Sequence, residues 1–389
     1  MAEQAMTFFA PRHAATRTPV CQVMLFDAGT PDLIRPLTGV IEAEVTNTNF
    51  YSADTFRVLV ALAEAPPGFT VDYLSTQASI PLEIIMGPDA GHLVSLIQGQ
   101  VDDFDYDPVE NTVELRGRDY TSFFIDSRTT ETWVGATASQ VAVALAQRHR
   151  LDASLVTATS QKIGAGSHNV QVKTGEGRTE WDLLTALASQ TLDWDGSNFV
   201  VYVTGTSLYF GPRPTEPGYF LECQPATVRG EPFRIKPAAD PGQGPAWGGI
   251  SLRLTRNISV LRNVAVEMRS TQTGSGITLA ARYPVLPAGG GVAEQLYQFR
   301  APVNLPLDVL ARQAQARQQD ITRHELRVAF TLPGDNVLRQ SRLLTITGLG
   351  NRFDQSYFVQ SVTRRFSSDG GYTMEGTAQN RNEPDGLAV

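Results

Sequence analysis

The sequence predicts a mainly β protein: two copies of one β unit, a small α/β segment inserted after the first copy, and one further helix within the second. Three observations carry this reading. Short runs of period-two apolar alternation fill both ends of the chain. Four of these runs recur in the same order. Helical periodicity is confined to three stretches.

The first β block begins with "VCQVMLFDAG", "LTGVIEAEVTNT", "TFRVLVAL" and "IPLEIIMG", separated by turn-forming "DAGTPD", "APPG" and "GPDAG". Strands at such close spacing indicate a barrel or sandwich. The block ends in "LVSLIQGQVDDFDYDPVENTVELRGRD", residues 93–119, in which Asp103, Asp105 and Asp107 alternate with Phe104 and Tyr106. With Glu114 at the twelfth position from Asp103, this nearly matches a calcium loop. The sixth position of such a loop needs glycine for a sharp turn, and here it is Pro108, whose φ is fixed. Both flanks also alternate as strands. A long β-hairpin with an acidic outer face is therefore expected, and no metal.

Around residue 120 the pattern changes. "GATASQVAVALAQRHRL" reads as a helix capped by Thr137, with Gln140 completing a capping box. "TEWDLLTALASQTL" reads as a second, capped by Thr179, with Asp182 near the positive end of the dipole and an apolar stripe of Trp181, Leu184 and Ala188. The strands "NFVVYVTG" and "SLYFGP" follow, so 127–210 forms an α/β insertion. A Pro/Gly-rich linker, "KPAADPGQGPAWGG", marks the main boundary at 236–249. Beyond it come "ISLRLTRN", "RNVAVEMRS" and "GITLAARYP", a glycine loop, and a third helix from "LPLDVLARQAQARQQDI" with Pro306 at an early position. Its sparse stripe (Val309, Leu310, Ala314, Ile321) suits a helix covered on one side.

The final block repeats the first. Residues 56–62 match 326–332, 81–87 match 342–348, 92–107 match 356–369, and 111–119 match 371–379. The acidic comb has no counterpart in the second copy, where "VTRRFSSD" stands instead of "VDDFDYD".

Composition and motifs narrow the function classes. The chain has 389 residues, 42% hydrophobic and 19% charged, as in ordinary soluble globular proteins. No apolar run approaches a membrane span, and the N-terminus lacks the pattern of a secretory signal. Two cysteines, Cys21 and Cys223, suit a reducing compartment during folding, with a single bridge left open. The net charge is −8 and lysine occurs at Lys162, Lys173 and Lys236 alone, so the overall field repels nucleic acid. The histidines (His13, His92, His149, His168, His324) are scattered, with no H-E-x-x-H, nucleophile elbow or Walker loop. No catalytic, cofactor-binding or metal-binding residues are expected. Arg118 and Asp119 are expected to form an ion pair ending a strand.

The stretches "SADTFRVLVAL", "GRDYTSFFID", "TASQVAVALAQRH", "WDLLTALA", "LYFGP" and "YFVQSV", in this order, resemble the central baseplate hub of contractile-tailed phages, the late control gene D proteins. They are also similar to the N-terminal module of VgrG spikes. The resemblance runs from about residue 20 to 380. It implies two tube-like β-barrels: 20–126 with 211–240 as the first, 241–304 and 325–384 as the second. A helix at 305–324 is inserted in the second barrel, and 1–19 is an N-terminal arm. It implies a homotrimer that joins a hexameric tail tube to a trimeric spike at the virion tail tip, assembled in the host bacterial cytoplasm. Implied partners are the tube or a tube-terminating protein, the spike, and tape measure and baseplate wedge proteins. DNA passes the bore without specific binding, and nothing inserts in a membrane. Asp102, Asp103, Asp105 and Asp107 are candidates for an acidic bore wall, or else a solvated strand face. The rival reading is a cell-wall-binding or peptidoglycan-hydrolysing tail component. A surface groove lined by Trp133, Trp181 and Trp194 would favour it.

Overall fold

The computed structural model describes residues 18–27, 30–50, 52–129, 131, 133, 135–160, 179–191, 199–214, 216–224, 234–237, 251–257, 264–284, 295–301, 303–322 and 325–380. The N-terminal arm up to residue 17, most of the linker, the glycine loop before the third helix and Trp194 lie outside them.

The first unit contains β1 (Val20–Asp27), β2 (Thr30–Leu37), β3 (Val40–Thr48), β4 (Thr55–Ala61), a short helix α1 (Val71–Thr76), β5 (Pro81–Gly87), β6 (Val94–Asp107) and β7 (Thr112–Asp119). Its strands run in the order β3-β4-β7-β6-β5-β1-β2, each antiparallel to its neighbour. Period-two alternation turns Val45, Val58, Val60, Leu82, Ile84, Val113 and Leu115 to one side, where they form a single core. Every strand of the unit contributes to that core, so the sheet curls around it as an open barrel.

Next come α2 (Thr121–Asp126), α3 (Ala138–Arg148), α4 (Glu180–Gln190), β8 (Phe199–Thr204) and β9 (Ser207–Pro212). The expected capping box of Thr137 with Gln140 is present on α3, and Thr179 caps α4 as expected, with Asp182 completing a second box there. Val141 and Leu145 of α3 and Trp181, Leu184 and Leu187 of α4 bury against Phe199, Val201, Leu208 and Phe210 of the β8–β9 hairpin. Glu180, almost fully enclosed, ties the helices by accepting from His149 (2.6 Å) and from Arg148.

The chain then forms β10 (Glu216–Gln224), β11 (Arg234–Pro237), β12 (Ser251–Arg256), β13 (Val264–Thr271), β14 (Thr278–Tyr283), β15 (Gln295–Arg300), α5 (Leu307–Thr322), β16 (Leu326–Pro333), β17 (Arg342–Thr347), β18 (Ser356–Ser367) and β19 (Gly371–Asn380). Two expectations are corrected here. The described strands within 211–240 do not complete the first barrel, because β10 pairs with β17 and buries Tyr219, Leu221 and Cys223 in the second core. Nor do β13, β14 and β15, expected within 241–304 of the second barrel, belong to it. β14-β13-β15 is a separate sheet, and α5 packs on it through Leu310 and Ala314. Strand period reports which face is apolar, not which sheet a strand joins.

The second unit therefore has the order β12-β16-β19-β18-β17-β10-β11. Strand for strand this matches the first unit, except that β10 lies parallel to β17 where β1 is antiparallel to β5. A shared detail sets the register. Phe56 pairs with Gly117 in the first unit, and Phe330 with Gly376 in the second. In both, the phenylalanine ring fills the space above the glycine, so a Cβ on either glycine would meet ring carbon at 2.4 or 2.2 Å. Phe56 thus corresponds to Phe330, four residues from the match that the apolar pattern suggests.

Candidate functional site

The two units meet along β18. Its first half pairs with β17; its second half, Ser361 to Ser367, pairs antiparallel with β3 of the first unit, from Thr48 to Glu42. One sheet therefore runs through both units. On its outer face a row of alternating charge crosses five consecutive strands. Arg365 of β18 meets Glu44 (2.5 Å) and Glu42 (3.0 Å) of β3, and Arg57 of β4 joins Glu42 to Glu114 of β7, both at 2.7 Å. Arg116 then bridges Glu114 (2.6 Å) to Asp105 (2.7 Å) and Asp103 (3.4 Å) on β6. Burial works against ionisation of Glu114, yet hydrogen bonds from Arg57 and Arg116 hold its carboxyl below the usual range. Exposed pairs contribute ~0–1 kcal/mol each. The row's main effect is to make one strand register better than its neighbours.

The inner face of the joint carries a polar network. Arg364 is 2% exposed; it donates to the Asp335 carbonyl (2.8 Å), to Asn47 Oδ1 (3.2 Å) and to the Leu338 carbonyl. The Asp335 carboxylate caps the backbone N–H groups of Val337 and Leu338 and accepts from the Tyr219 hydroxyl at 2.6 Å. Asn47 donates to Asp54 (2.8 Å) and to the Leu96 carbonyl (3.1 Å). Beside it lies a cavity of about 190 Å³ lined by Asn47, Asp54, Asp119, Tyr202, Arg339 and Arg364, where both units and the insertion meet. An aromatic clasp closes the same corner. The Arg213 guanidinium sits 4.9 Å from the Phe50 ring and 5.2 Å from Phe358, and Phe50 lies 4.9 Å from Tyr202.

Two carboxyls stand in this corner, Asp119 buried and Asp54 half-buried. Burial lifts Asp54 to about 6, against hydrogen bonds from Asn47 and Thr48 that favour its ionised form. Burial, and then the charge of Asp54, raises Asp119 well above the carboxylate range. An acid whose folded pKa is raised stabilises the fold fully below its unfolded pKa, and that contribution is lost as pH rises through the folded value. For Asp54 that contribution is lost progressively as pH rises from the ordinary carboxylate range to about 6. Calorimetry is therefore expected to show a higher Tm at pH ~5 than at pH ~7.5, and Asp54→Asn to flatten that difference. Equal slopes in the two proteins would refute the assignment.

The expected site residues distribute as follows. Asp103 and Asp105 share one face of β6 and both reach Arg116, while Phe104 packs toward the first core. Asp102 falls at a β-bulge and pairs with Arg118 at 2.6 Å. Asp107 accepts the N–H groups of Val109 and Glu110 and so shapes the hairpin turn. The expected Arg118–Asp119 pair does not form. Neighbouring strand residues face opposite ways, so Arg118 turns outward to Asp102 and Asp126, and Asp119 turns inward to Thr121. His92 meets Asp89 at 2.7 Å; His13, His168 and His324 lie outside the described residues. Both cysteines are free thiols, and burial pushes Cys21 up to about 12 and Cys223 to about 11. Trp181 is buried, and Trp133 packs half-buried against the same core. Sequence reasoning missed Arg364, Asn47, Asp54 and Asp335. One signal was present: Arg364 stands in the apolar phase of its strand, between Val362 and Phe366.

No protein-family model matches the sequence, and no match is found among curated proteins. Solved structures do match. The 43 kDa tail protein of prophage MuSo2 from Shewanella oneidensis superposes with a TM-score of 0.62 at 14% identity, over 92% of this chain and 98% of that one. A tail protein from Neisseria meningitidis gives 0.58 at 13% identity, over 92% and 96%. A prophage tail protein from Listeria monocytogenes gives 0.51 at 11% identity, over 93% and 95%. At these identities the likeness is one of fold alone.

Proposed function

We propose that this chain is the structural hub at the tip of a phage or phage-like tail. It acts without catalysis as a homotrimeric adaptor between a hexameric tail tube and a trimeric spike. The observation that carries this is the internal duplication: one chain holds two units of the same strand order, fused through one sheet. Three copies then present six like units to a six-fold tube while keeping three-fold symmetry toward the spike. The units serve as two tube-like barrels, with the insertion and the β13–β15/α5 layer outside them. Tape measure and baseplate wedge proteins are further partners, and genomic DNA passes through the bore. The outer row that ends on Asp103 and Asp105, with Asp102 and Asp107 beside it, lines that bore; its acids outnumber its arginines, so it does not hold phosphate.

Mass photometry of the purified protein with its spike is expected to show three copies of this chain; a stable dimer or hexamer would overturn the adaptor reading. For the bore, Asp105→Lys with Asp107→Lys is expected to slow genome ejection from otherwise intact particles. Unchanged ejection would remove the acids from the wall.

A further inference from the structure

Among the described residues, the internal joint has an unpaired counterpart. In the second unit the far half of β18 is covered by β3. In the first unit the matching half of β6, from Asp102 to Asp107, has β7 on one edge and, among the described residues, nothing on the other, because β5 ends its pairing at Gln100. Likewise β3 is paired on both edges, whereas its counterpart β12 pairs with β16 alone among the described residues. Among the described residues, one chain thus presents the two halves of the joint it has already made once, at separate places on its sheet.

We infer that the open edge of β6 receives β12 of a second copy of this chain, in the register of the β18–β3 joint. The phenylalanine–glycine pairs fix that register. Gly117 pairs with Val101 and Gly376 with Val362; past the bulge at Asp102, Asp103 pairs with Arg116 as Thr363 does with Glu375. So Asp103 stands where Thr363 does, and Phe104 where Arg364 does. Phe56 pairs with Val45 and Phe330 with Leu252, so Leu252 stands where Val45 does, and Arg253 where Thr46 does. In the internal joint Thr363 faces Thr46 and Arg364 faces Val45. Transferred to the seam, Asp103 faces Arg253 of the next copy and Phe104 faces its Leu252.

The side chains fit that transfer. Phe104 and Leu252 are each half-buried, and the seam would cover both. Asp103 is 58% exposed, Arg253 is exposed, and the alternating row ends on acids at β6. Arg253 of the next copy continues it with the correct sign. Acids on a bare strand edge also deter non-specific pairing. An arginine at the matching position of the complementary edge makes this edge selective for one partner. The seam is heterologous, so it closes into a ring when the rotation permits.

This inference rests on the adaptor reading for the number of copies but not for the contact itself. The test is Asp103→Cys with Arg253→Cys, oxidised with copper–phenanthroline beside each single variant. Opposed residues on antiparallel strands have Cβ atoms about 4.5–5.5 Å apart, within reach of a disulfide. A covalent closed trimer from the double variant alone is expected. Three copies by mass with no cross-link would overturn the seam and leave the adaptor. Covalent chains longer than three would support the seam and overturn the adaptor. Uncross-linked monomer would overturn both. A charge swap serves as the second reading. Asp103→Arg and Arg253→Asp are each expected to weaken association about tenfold or more, and the combination to restore it. Because Asp103 also contacts Arg116, a purely local role predicts no restoration.

Discussion

Replacing Arg364 with alanine is expected to lower the free energy of unfolding by about 3–5 kcal/mol, the usual cost of removing one partner from a buried charged network. The guanidinium satisfies the carbonyls of Asp335 and Leu338 and the amide oxygen of Asn47, and its charge lies close enough to Asp54 to favour the ionised carboxylate. Alanine leaves those acceptors without their guanidinium donor, and an unsatisfied buried acceptor costs about 1–3 kcal/mol by itself. The matching position in the first unit is Phe104, so the strand itself does not demand an arginine; the loop carbonyls of Asp335 and Leu338 do. The adjacent Arg365→Ala is the control. That side chain is 53% exposed and makes surface ion pairs with Glu42 and Glu44, so its loss is expected to stay within ~1 kcal/mol. Urea unfolding of the three proteins separates the outcomes. Equal losses for the two arginines would mean that the inner network does not hold the units together.

The repeat was legible because alternation survives in all four strand pairs, and the structure pairs those strands in the same order. Its register was not. A period-two pattern is unchanged by a shift of four residues, so "FRVLVAL" and "LRVAFTL" align equally well in several ways. What breaks the tie is a contact between strands, Phe56 over Gly117 and Phe330 over Gly376, which no single strand displays. The short helices α1 and α2, of six residues each, were invisible because they span too few turns for a period to emerge. The two longer insertion helices were visible down to their caps, since capping chemistry is local. The acidic comb was read correctly as one strand face. Its partner lies across the hairpin, where Arg116 is directly opposite Asp103 and also reaches Asp105, so the comb is only partly neutralised by its own return strand. The buried corner of Asn47, Asp54, Asp119, Asp335 and Arg364 draws on segments more than 300 residues apart, such as Asn47 and Arg364. Polar residues that meet only through tertiary folding leave little local trace.

Trp181→Ala is expected to cost about 3–5 kcal/mol as well, through a different mechanism and in a different place. The indole is 6% exposed, within the core that α3 and α4 build against the β8–β9 hairpin; the Phe124 ring lies 6.3 Å away. Thr179 and Asp182 fix the start of α4, so the helix cannot slide to fill the space that alanine leaves. The insertion has its own apolar core, separate from those of the two β units. A loss there is expected to open the insertion before the barrels, as contiguous cooperative units do. Hydrogen exchange followed by mass spectrometry should then show protection falling across α3, α4, β8 and β9 while β4 and β7 keep theirs. Arg364→Ala should do the reverse, loosening β3 and β18 first. If Trp181→Ala melts at the wild-type temperature with unchanged exchange, the indole is not a core residue but is free to bind a ligand. The insertion would then be a wall-binding module rather than an outer layer of an adaptor.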